Sequence, residues 1–135
     1  MGRVPWTWLT VGLLALGAAS GCGGSEARGR LIGTWEETGE VDGSTVTGRV
    51  TYWPNGTWES RGEITDPQGR TRQASARGRW EIRQGDLLYQ QTTENSEIEL
   101  NEHNDSWTMR IVEVTPEKLV LRDREGTDWV EARVR

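Results

Sequence analysis

Residues 44–65 read STVTGRVTYWPNGTWESRGEIT, and this stretch decides the fold class. Apolar or small side chains alternate with polar ones on both sides of the segment Pro54-Asn55-Gly56. A period of two is typical of a β-strand with one buried face and one wet face. Asn-Gly is typical of a tight hairpin turn in which both residues have positive φ angles. The sequence therefore predicts two antiparallel strands joined by a tight hairpin.

The same alternation recurs along the rest of the chain, with turn-forming segments between the apolar runs. These turns include Gln84-Gly85-Asp86, Thr115-Pro116-Glu117-Lys118 and Arg124-Glu125-Gly126-Thr127. The pattern predicts about eight or nine strands, near residues 31–39, 44–53, 57–65, 71–83, 86–92, 96–101, 106–115, 118–124 and 128–135.

Strands of this kind form either a closed barrel or a two-layered sandwich. Short connections make neighbours in sequence neighbours in space, so the pattern favours an antiparallel up-and-down meander of about eight strands that closes into a barrel. The last strand is predicted to turn Val130, Ala132 and Val134 inward. No segment has a helical face longer than about two turns. The predicted fold class is all-β.

Length, charge and cysteine content exclude several classes of protein. The chain has 135 residues, a formal net charge of -5 and one cysteine. This length fits one domain. The acidic balance, with arginines scattered along the chain, argues against a nucleic-acid partner. A single cysteine excludes an internal disulfide and a cysteine-based zinc site. We therefore expect one small domain with no metal and no cofactor.

The N-terminal residues predict an export signal. Arg3 precedes an uncharged apolar run over 6–19, and small residues follow it. The run is shorter than the roughly 20 residues of a membrane-spanning helix, so a cleaved signal is favoured over a retained anchor. The predicted organisation is a signal peptide over 1–21, a modified cysteine with a flexible tether over 22–30, and a β-barrel domain over 31–135.

Ala19-Ser20-Gly21-Cys22 resembles the lipobox of bacterial lipoproteins. In such proteins the cysteine receives a diacylglyceryl group, the signal is removed, and the new N-terminus carries acyl chains such as palmitate. The resemblance implies lipidation of Cys22, a membrane anchor, and a location in the bacterial cell envelope. Gly23 favours the outer membrane where the cell has one. The alternative is a conventional signal peptide whose removal leaves a free thiol.

A second resemblance lies in the tryptophan motifs. Gly33-Thr34-Trp35 is similar to the G-x-W signature of the calycin group, which includes lipocalins, fatty-acid-binding proteins and avidins. Three later segments follow it in an order that resembles small bacterial lipocalin-like domains carried by lipoproteins. They are Tyr52-Trp53-Pro54-Asn55-Gly56-Thr57-Trp58, Gly78-Arg79-Trp80-Glu81-Ile82 and Gly85-Asp86-Leu87-Leu88.

The resemblance implies a barrel that binds a small apolar ligand, with an arginine of the closing strand packed over Trp35. Arg133 and Arg122 are both candidates for that arginine. Inward aromatic side chains can line a pocket, and in a chain without Phe they can equally fill the barrel as core. The side chains predicted to face the interior and contact a ligand are Tyr52, Trp58, Trp80 and Trp107. Trp53 and Trp129 are out of phase with the alternating apolar residues, which predicts positions at the barrel mouth or against a partner protein.

Candidates for catalysis are few. His103 is the only histidine, and its polar surroundings predict an exposed loop. The acidic residues of 97–105 lack the spacing of a calcium loop. Glu36 and Glu37 point to opposite faces of a strand, so they cannot act together on one bond. We therefore expect a protein that is not an enzyme. Two functions are favoured over a hydrolase: a lipid-anchored module that binds a small apolar ligand, or an envelope scaffold that binds another protein and has a filled barrel.

Overall fold

The structure, a computed structural model, describes residues 24–135. Within these residues it contains one helix, α1, which is followed only by strands. Helix α1 spans Gly24–Leu31. The strands are β1 (Gly33–Val41), β2 (Ser44–Tyr52), β3 (Thr57–Thr65), β4 (Thr71–Arg83), β5 (Leu87–Asn95), β6 (Ser106–Val114), β7 (Lys118–Arg122) and β8 (Asp128–Arg133).

The strands form a closed barrel in the order in which they occur along the chain. Each strand pairs antiparallel with the next one, and β8 pairs antiparallel with β1. We call this closing ladder the seam. In the described residues the seam contains two residue pairs, Trp35 with Arg133 and Glu36 with Ala132. The predicted all-β, up-and-down barrel is confirmed.

Two apolar clusters lie at opposite ends of the barrel interior. The base is the end at which α1 lies, and the rim is the end that carries the turn between β1 and β2. The base cluster contains Leu31, Trp35, Val50, Tyr52, Trp58, Ala76, Trp80, Leu88, Met109, Leu119 and Leu121. The rim cluster contains Val46, Ile64 and Ala74. Every second residue of β4 from Ala74 to Trp80 is buried, as the period of two predicts.

Helix α1 closes the base. Its Ala27 and Leu31 side chains are buried. Trp35 Nε1 donates a hydrogen bond to the Leu31 carbonyl oxygen at 2.9 Å, and Arg28 Nη2 donates one to the Pro54 carbonyl oxygen at 2.7 Å. The helix differs from the flexible tether predicted over 22–30. Burial of its apolar side chains against the barrel stabilises a short helix whose glycines alone would disfavour it.

The arginine over Trp35 is Arg133. Its guanidinium carbon lies 4.3 Å from the centre of the Trp35 ring. The same guanidinium donates hydrogen bonds to the carbonyl oxygens of Arg30, Ile32 and Pro116, at 2.8, 3.1 and 2.6 Å. Arg133 therefore ties β1, β8, α1 and the turn before β7 together. The other candidate, Arg122, instead forms an exposed ion pair with Asp128.

The inward face predicted for β8, made of Val130, Ala132 and Val134, is wrong. Ala132 is exposed, whereas Glu131 is buried and Trp129 packs against the base cluster. The cause is the position of Arg133 over Trp35, because residues of the same parity on a strand share a face. Trp129 therefore faces the interior, contrary to the prediction that it is out of phase.

Residues 96–101, predicted to be a strand, belong to the loop between β5 and β6. Asparagine side chains stabilise this loop by bonding nearby backbone groups. Asn95 accepts a hydrogen bond from Glu97 N at 2.8 Å, and Asn101 accepts one from His103 N at 2.7 Å. Such local bonds compete with a strand ladder. The barrel accordingly has eight strands among its described residues.

The turn between β2 and β3 also differs from the predicted type. Gly56 has a φ of 87°, and Asn55 is not among the residues with positive φ. Gly56 N donates to Trp53 O at 3.1 Å, and Trp53 N donates to Thr57 O at 2.9 Å. These bonds define a type I turn followed by a left-handed glycine, because Pro54 fixes a negative φ at the first turn position. The predicted hairpin is present with a different turn.

Candidate functional site in the barrel interior

The four aromatic residues predicted to face the interior do so at two levels. Tyr52, Trp58 and Trp80 belong to the base cluster, whereas Trp107 is half-buried and packs against it. The rings of Tyr52 and Trp80 meet edge to face with centroids 5.5 Å apart. Trp58 Nε1 and Trp80 Nε1 each donate to a backbone carbonyl oxygen. These two tryptophans therefore close the base of the interior. Trp53, at the outside of the base, is 40% exposed.

A hydrogen-bonded chain of side chains crosses the middle of the barrel. Trp107 Nε1 donates to Gln90 Oε1 at 2.8 Å, and Gln90 Nε2 donates to the Tyr52 hydroxyl oxygen at 3.2 Å. Gln90 and Tyr52 are both buried. Because the Tyr52 oxygen accepts in this chain, its own proton is free to be donated toward the interior.

Two buried carboxyl groups lie next to this chain. Glu37 and Glu131 are only 4% and 1% exposed. The seam pairs Glu36 with Ala132, and extending this register by one residue brings Glu37 opposite Glu131 on the inner face. Apart from a proton that the two carboxyl groups share between them, no donor among the described residues forms a hydrogen bond to their oxygens. The barrel therefore encloses two acidic side chains without a basic partner.

Burial raises the pKa values of both carboxyl groups, and their mutual proximity also affects these values. Burial raises the pKa of Glu131 from 4.5 to about 8, and a hydrogen bond with Glu37 offsets part of that rise. Burial, the charge of Glu131 and the same hydrogen bond raise the pKa of Glu37 well above 4.5. Two ionised carboxylates offer only acceptors, so this bond needs a proton on one of them. The pair consequently retains at least one proton near neutral pH.

Tyr52 lies within electrostatic reach of the acidic pair. Burial is the largest cause that raises the pKa of Tyr52, followed by the charges of Glu131 and Glu37, while the hydrogen bond with Gln90 lowers it. The phenol is therefore a neutral hydrogen-bonding group at all physiological pH values.

Small residues lie beside Glu37, and at Gly62 the backbones of β2 and β3 approach so closely that a Cβ atom would overlap the Thr47 carbonyl oxygen. The strand register sets Glu37 opposite Gly48, Gly48 opposite Gly62, and Gly62 opposite Ala74. This row, here called the small-residue row, ends at Ala74 of the rim cluster. It presents one methyl group across three strands. Two buried hydroxyl oxygens with no hydrogen-bond partner in the described residues, Ser60 Oγ and Thr92 Oγ1, belong to the inner faces of β3 and β5.

The sequence prediction missed Glu37, Glu131, Gln90, Ser60 and Thr92 as interior polar residues. A signal for Glu37 was present, because it has the same parity as Trp35. Glu131 has the same parity as Arg133, but the apolar residues Val130, Ala132 and Val134 suggested the opposite phase. Glu36 and Glu37 do face opposite sides of β1, and Glu36 pairs on the outside with Arg49.

Other parts of the described chain carry weaker candidates. His103 is exposed, and residues 24–135 contain no cluster of three metal-ligating side chains of the kind that holds a metal ion. An open groove of about 670 Å³ runs along β3 and β4, but its charged side chains already form ion pairs, Arg61 with Glu59 and Arg77 with Glu94. Within the same part of the chain, no helix has the length and apolarity that a membrane span needs. Cys22 lies outside the described residues.

Comparison with known proteins identifies the fold. No family model matches the chain, and no curated protein matches it. A lipocalin-like protein from Bacteroides uniformis aligns with 78% of this chain and 99% of its own, with 14% sequence identity and a TM-score of 0.50. This similarity confirms the lipocalin-like fold that the tryptophan motifs predicted.

Two further solved structures are similar at lower scores. An uncharacterized protein from Bacteroides eggerthii aligns with 77% of this chain and 99% of its own, with 13% identity and a TM-score of 0.44. A de novo designed fluorescence-activating β-barrel aligns with 81% of this chain and 97% of its own, with 20% identity and a TM-score of 0.43.

Proposed function

We propose that this chain is a lipoprotein of the bacterial cell envelope whose barrel binds a small, mostly apolar ligand. The observation that carries the binding proposal is a set of six buried side-chain oxygens, of Glu37, Glu131, Ser60 and Thr92, to which no group outside this set donates a hydrogen bond among the described residues. Buried polar groups are costly unless they are paired. Because the small-residue row adjoins Glu37, a ligand held there would reach these oxygens, with Tyr52 and Trp107 as aromatic neighbours.

The lipocalin-like fold supports a binding function. Lipocalin-like barrels enclose a volume that fits one small ligand. The base is filled by Trp58, Trp80 and their neighbours, so these two of the four predicted contact residues form its floor. We propose Tyr52 and Trp107, together with Glu37 and Glu131, as the residues that contact the ligand.

The lipobox supports a membrane anchor at Cys22, with the outer membrane favoured by Gly23. Only Gly23 separates Cys22 from the first residue of α1. Such a short connection keeps an acyl group close to the base of the barrel. The anchor would thus lie at the closed end, and the rim would point away from the membrane. Multiple acyl chains hold a protein at the membrane stably, because each buried methylene contributes about 0.8 kcal/mol.

The competing function is an envelope scaffold with a filled barrel. The observation that favours it is the dense base cluster, together with the exposed side chain of Trp53. An envelope partner protein would then bind the outside of the barrel.

Native mass spectrometry of the protein purified from its own cells distinguishes the two functions. We expect a small molecule to co-purify with the wild type. Ala74→Leu places a larger side chain in the small-residue row and should remove the bound molecule, whereas Ser75→Leu on the outer face of the same strand should retain it. If the wild-type protein carries no small molecule, or if both variants retain the molecule equally, the scaffold is favoured.

A further inference from the structure

We infer that the ligand of this barrel carries a protonated amine, and that Glu37 and Glu131 are the counter-ions of that ammonium group. The inference rests on the proposed function and specifies the chemical class of the ligand. Both carboxyl groups are buried, they face each other across the seam, and the small-residue row lies at their side.

In the part of the chain that the structure describes, the polar interior groups that no other group bonds are all oxygens, and each of them can accept a hydrogen bond. Four of the six unpartnered oxygens belong to the two carboxyl groups, and the other two are the hydroxyls of Ser60 and Thr92. Ionised carboxylates only accept hydrogen bonds, and hydroxyls can accept them. A primary ammonium group offers three donors and a positive charge. It can therefore satisfy both carboxylates and one hydroxyl, which a ligand with only acceptors cannot do.

No basic side chain of residues 24–135 competes for the acidic pair. Among the described residues, the interior faces of β3 to β7 carry one ionisable group, Arg72, whose exposed side chain at the rim forms an ion pair with Glu97. β2 contributes Tyr52, and β8 contributes Arg133. The Arg133 guanidinium is occupied by three backbone carbonyl oxygens and the Trp35 ring. The positive charge that balances Glu37 and Glu131 must consequently come from a proton or from a ligand.

The neighbouring aromatic residues fit the rest of such a ligand. Tyr52 is within the electrostatic reach of both carboxyl groups, and Gln90 links it to Trp107. Aromatic rings pack against apolar bodies and attract cations through their faces. An amine on a compact apolar or aromatic body therefore matches the interior. An anionic ligand such as a fatty acid would bring a further negative charge to the acidic pair.

Binding of a cation should also release protons. The pair retains at least one proton near neutral pH, and an ammonium ion stabilises its ionised form. Affinity for the cation should consequently rise between about pH 5 and pH 8, as the protons that must leave become easier to remove. Tyr52, whose pKa is raised by burial, stays neutral in this range and does not contribute to the slope.

The experiment compares three probes that differ in one functional group. Isothermal titration calorimetry would measure 2-phenylethylamine, 2-phenylethanol and phenylacetate against the purified full chain at about pH 8, in buffers of different ionisation enthalpy. We expect the amine to bind at least about tenfold more tightly than the alcohol, with proton release, and phenylacetate to bind most weakly. The double variant Glu37→Gln/Glu131→Gln should lose this preference, and Glu36→Gln, on the outer face of β1, should keep it.

The outcomes separate the inference from the proposed function. If the alcohol binds as tightly as the amine, the barrel binds ligands but the ammonium inference is wrong. If none of the probes binds and no small molecule co-purifies, both are wrong. The double variant is compared only as protein with an intact melting transition. If it still prefers the amine, the cation binds elsewhere and the assignment to Glu37 and Glu131 is wrong.

Discussion

At the scale of single residues, the G-x-W motif has a physical explanation in this barrel. Gly33 has a φ of 139°, and a Cβ atom on it would overlap Nη1 of Arg133. The missing side chain lets the guanidinium reach the Ile32 carbonyl oxygen and lie over Trp35. A glycine at this position thus makes room for the interaction that joins the two ends of the barrel sheet.

Gly33→Ala should therefore destabilise the protein by more than about 1 kcal/mol, through strain at positive φ and displacement of Arg133. The matched control is Gly29→Ala in α1, where a Cβ would meet no atom within 4 Å. That variant should be stabilised by about 0.5–1 kcal/mol. Thermal or urea unfolding followed by circular dichroism measures both. Equal effects of the two substitutions would show that the Arg133 contact does not require Gly33.

The acidic pair predicts an unusual dependence of stability on pH. Raised pKa values in the folded state mean that the folded protein binds more protons than the unfolded chain between pH 4.5 and about 8. Stability from the protonated pair is then fully present below pH 4.5 and is lost as the pH rises to about 8. One pKa unit corresponds to about 1.4 kcal/mol, so the loss amounts to several kcal/mol.

Melting curves between about pH 4.5 and pH 8.5 measure this dependence. We expect the melting temperature of the wild type to fall through this range. Glu37→Gln/Glu131→Gln should flatten the curve, and the exposed Glu36→Gln should leave it unchanged. A wild-type curve that is flat, or that rises with pH, would mean that the two carboxyl groups are ionised in the folded protein.

At the scale of elements, α1 is part of the barrel core. Leu31 is fully buried, and its carbonyl oxygen accepts the indole hydrogen bond of Trp35. Leu31→Ala removes buried methyl groups from a site enclosed by the base cluster, so it should cost about 2–5 kcal/mol of unfolding free energy. Ile98→Ala, at a residue that is 44% exposed in the loop after β5, should stay within about 0.5 kcal/mol of the wild type. Denaturant unfolding compares them, and equal losses would mean that α1 is detached from the barrel.

The elements that local chemistry determines were the most predictable from the sequence. Strand β3 has the predicted bounds, 57–65. The turn at Asn55-Gly56 precedes it, another turn follows Thr65, and apolar or small side chains alternate regularly with polar ones between them. Helix α1 was not predictable in this way. Its stability depends on the fit of Leu31 and Arg28 to a base that exists only once the strands have closed. Tertiary packing here outweighs local propensity.

At the scale of the whole molecule, barrel closure brings together residues that are far apart in the sequence. Glu37 and Glu131 face each other only because β8 returns to β1 in one particular register. An alternation pattern reports the face of a strand, and it does not report which distant strand becomes its neighbour. Trp58, Trp80 and Tyr52 were predictable as interior residues because each belongs to a hairpin with a visible turn. The acidic pair was not, because it depends on the seam.

The final prediction concerns how the whole barrel is held in the cell. If Cys22 carries the lipid, Cys22→Ser should leave an uncleaved precursor or release the barrel from membranes, because no other residue can take its place in thioether formation. The barrel itself should melt as the wild type does, since Cys22 precedes the first helix. Ser25→Ala, three residues later, is the matched control and should remain membrane-bound. Membrane fractionation and intact-mass measurement of the three proteins test this. Equal partition of the three proteins, with masses that differ only by the substituted atoms, would overturn the lipid anchor.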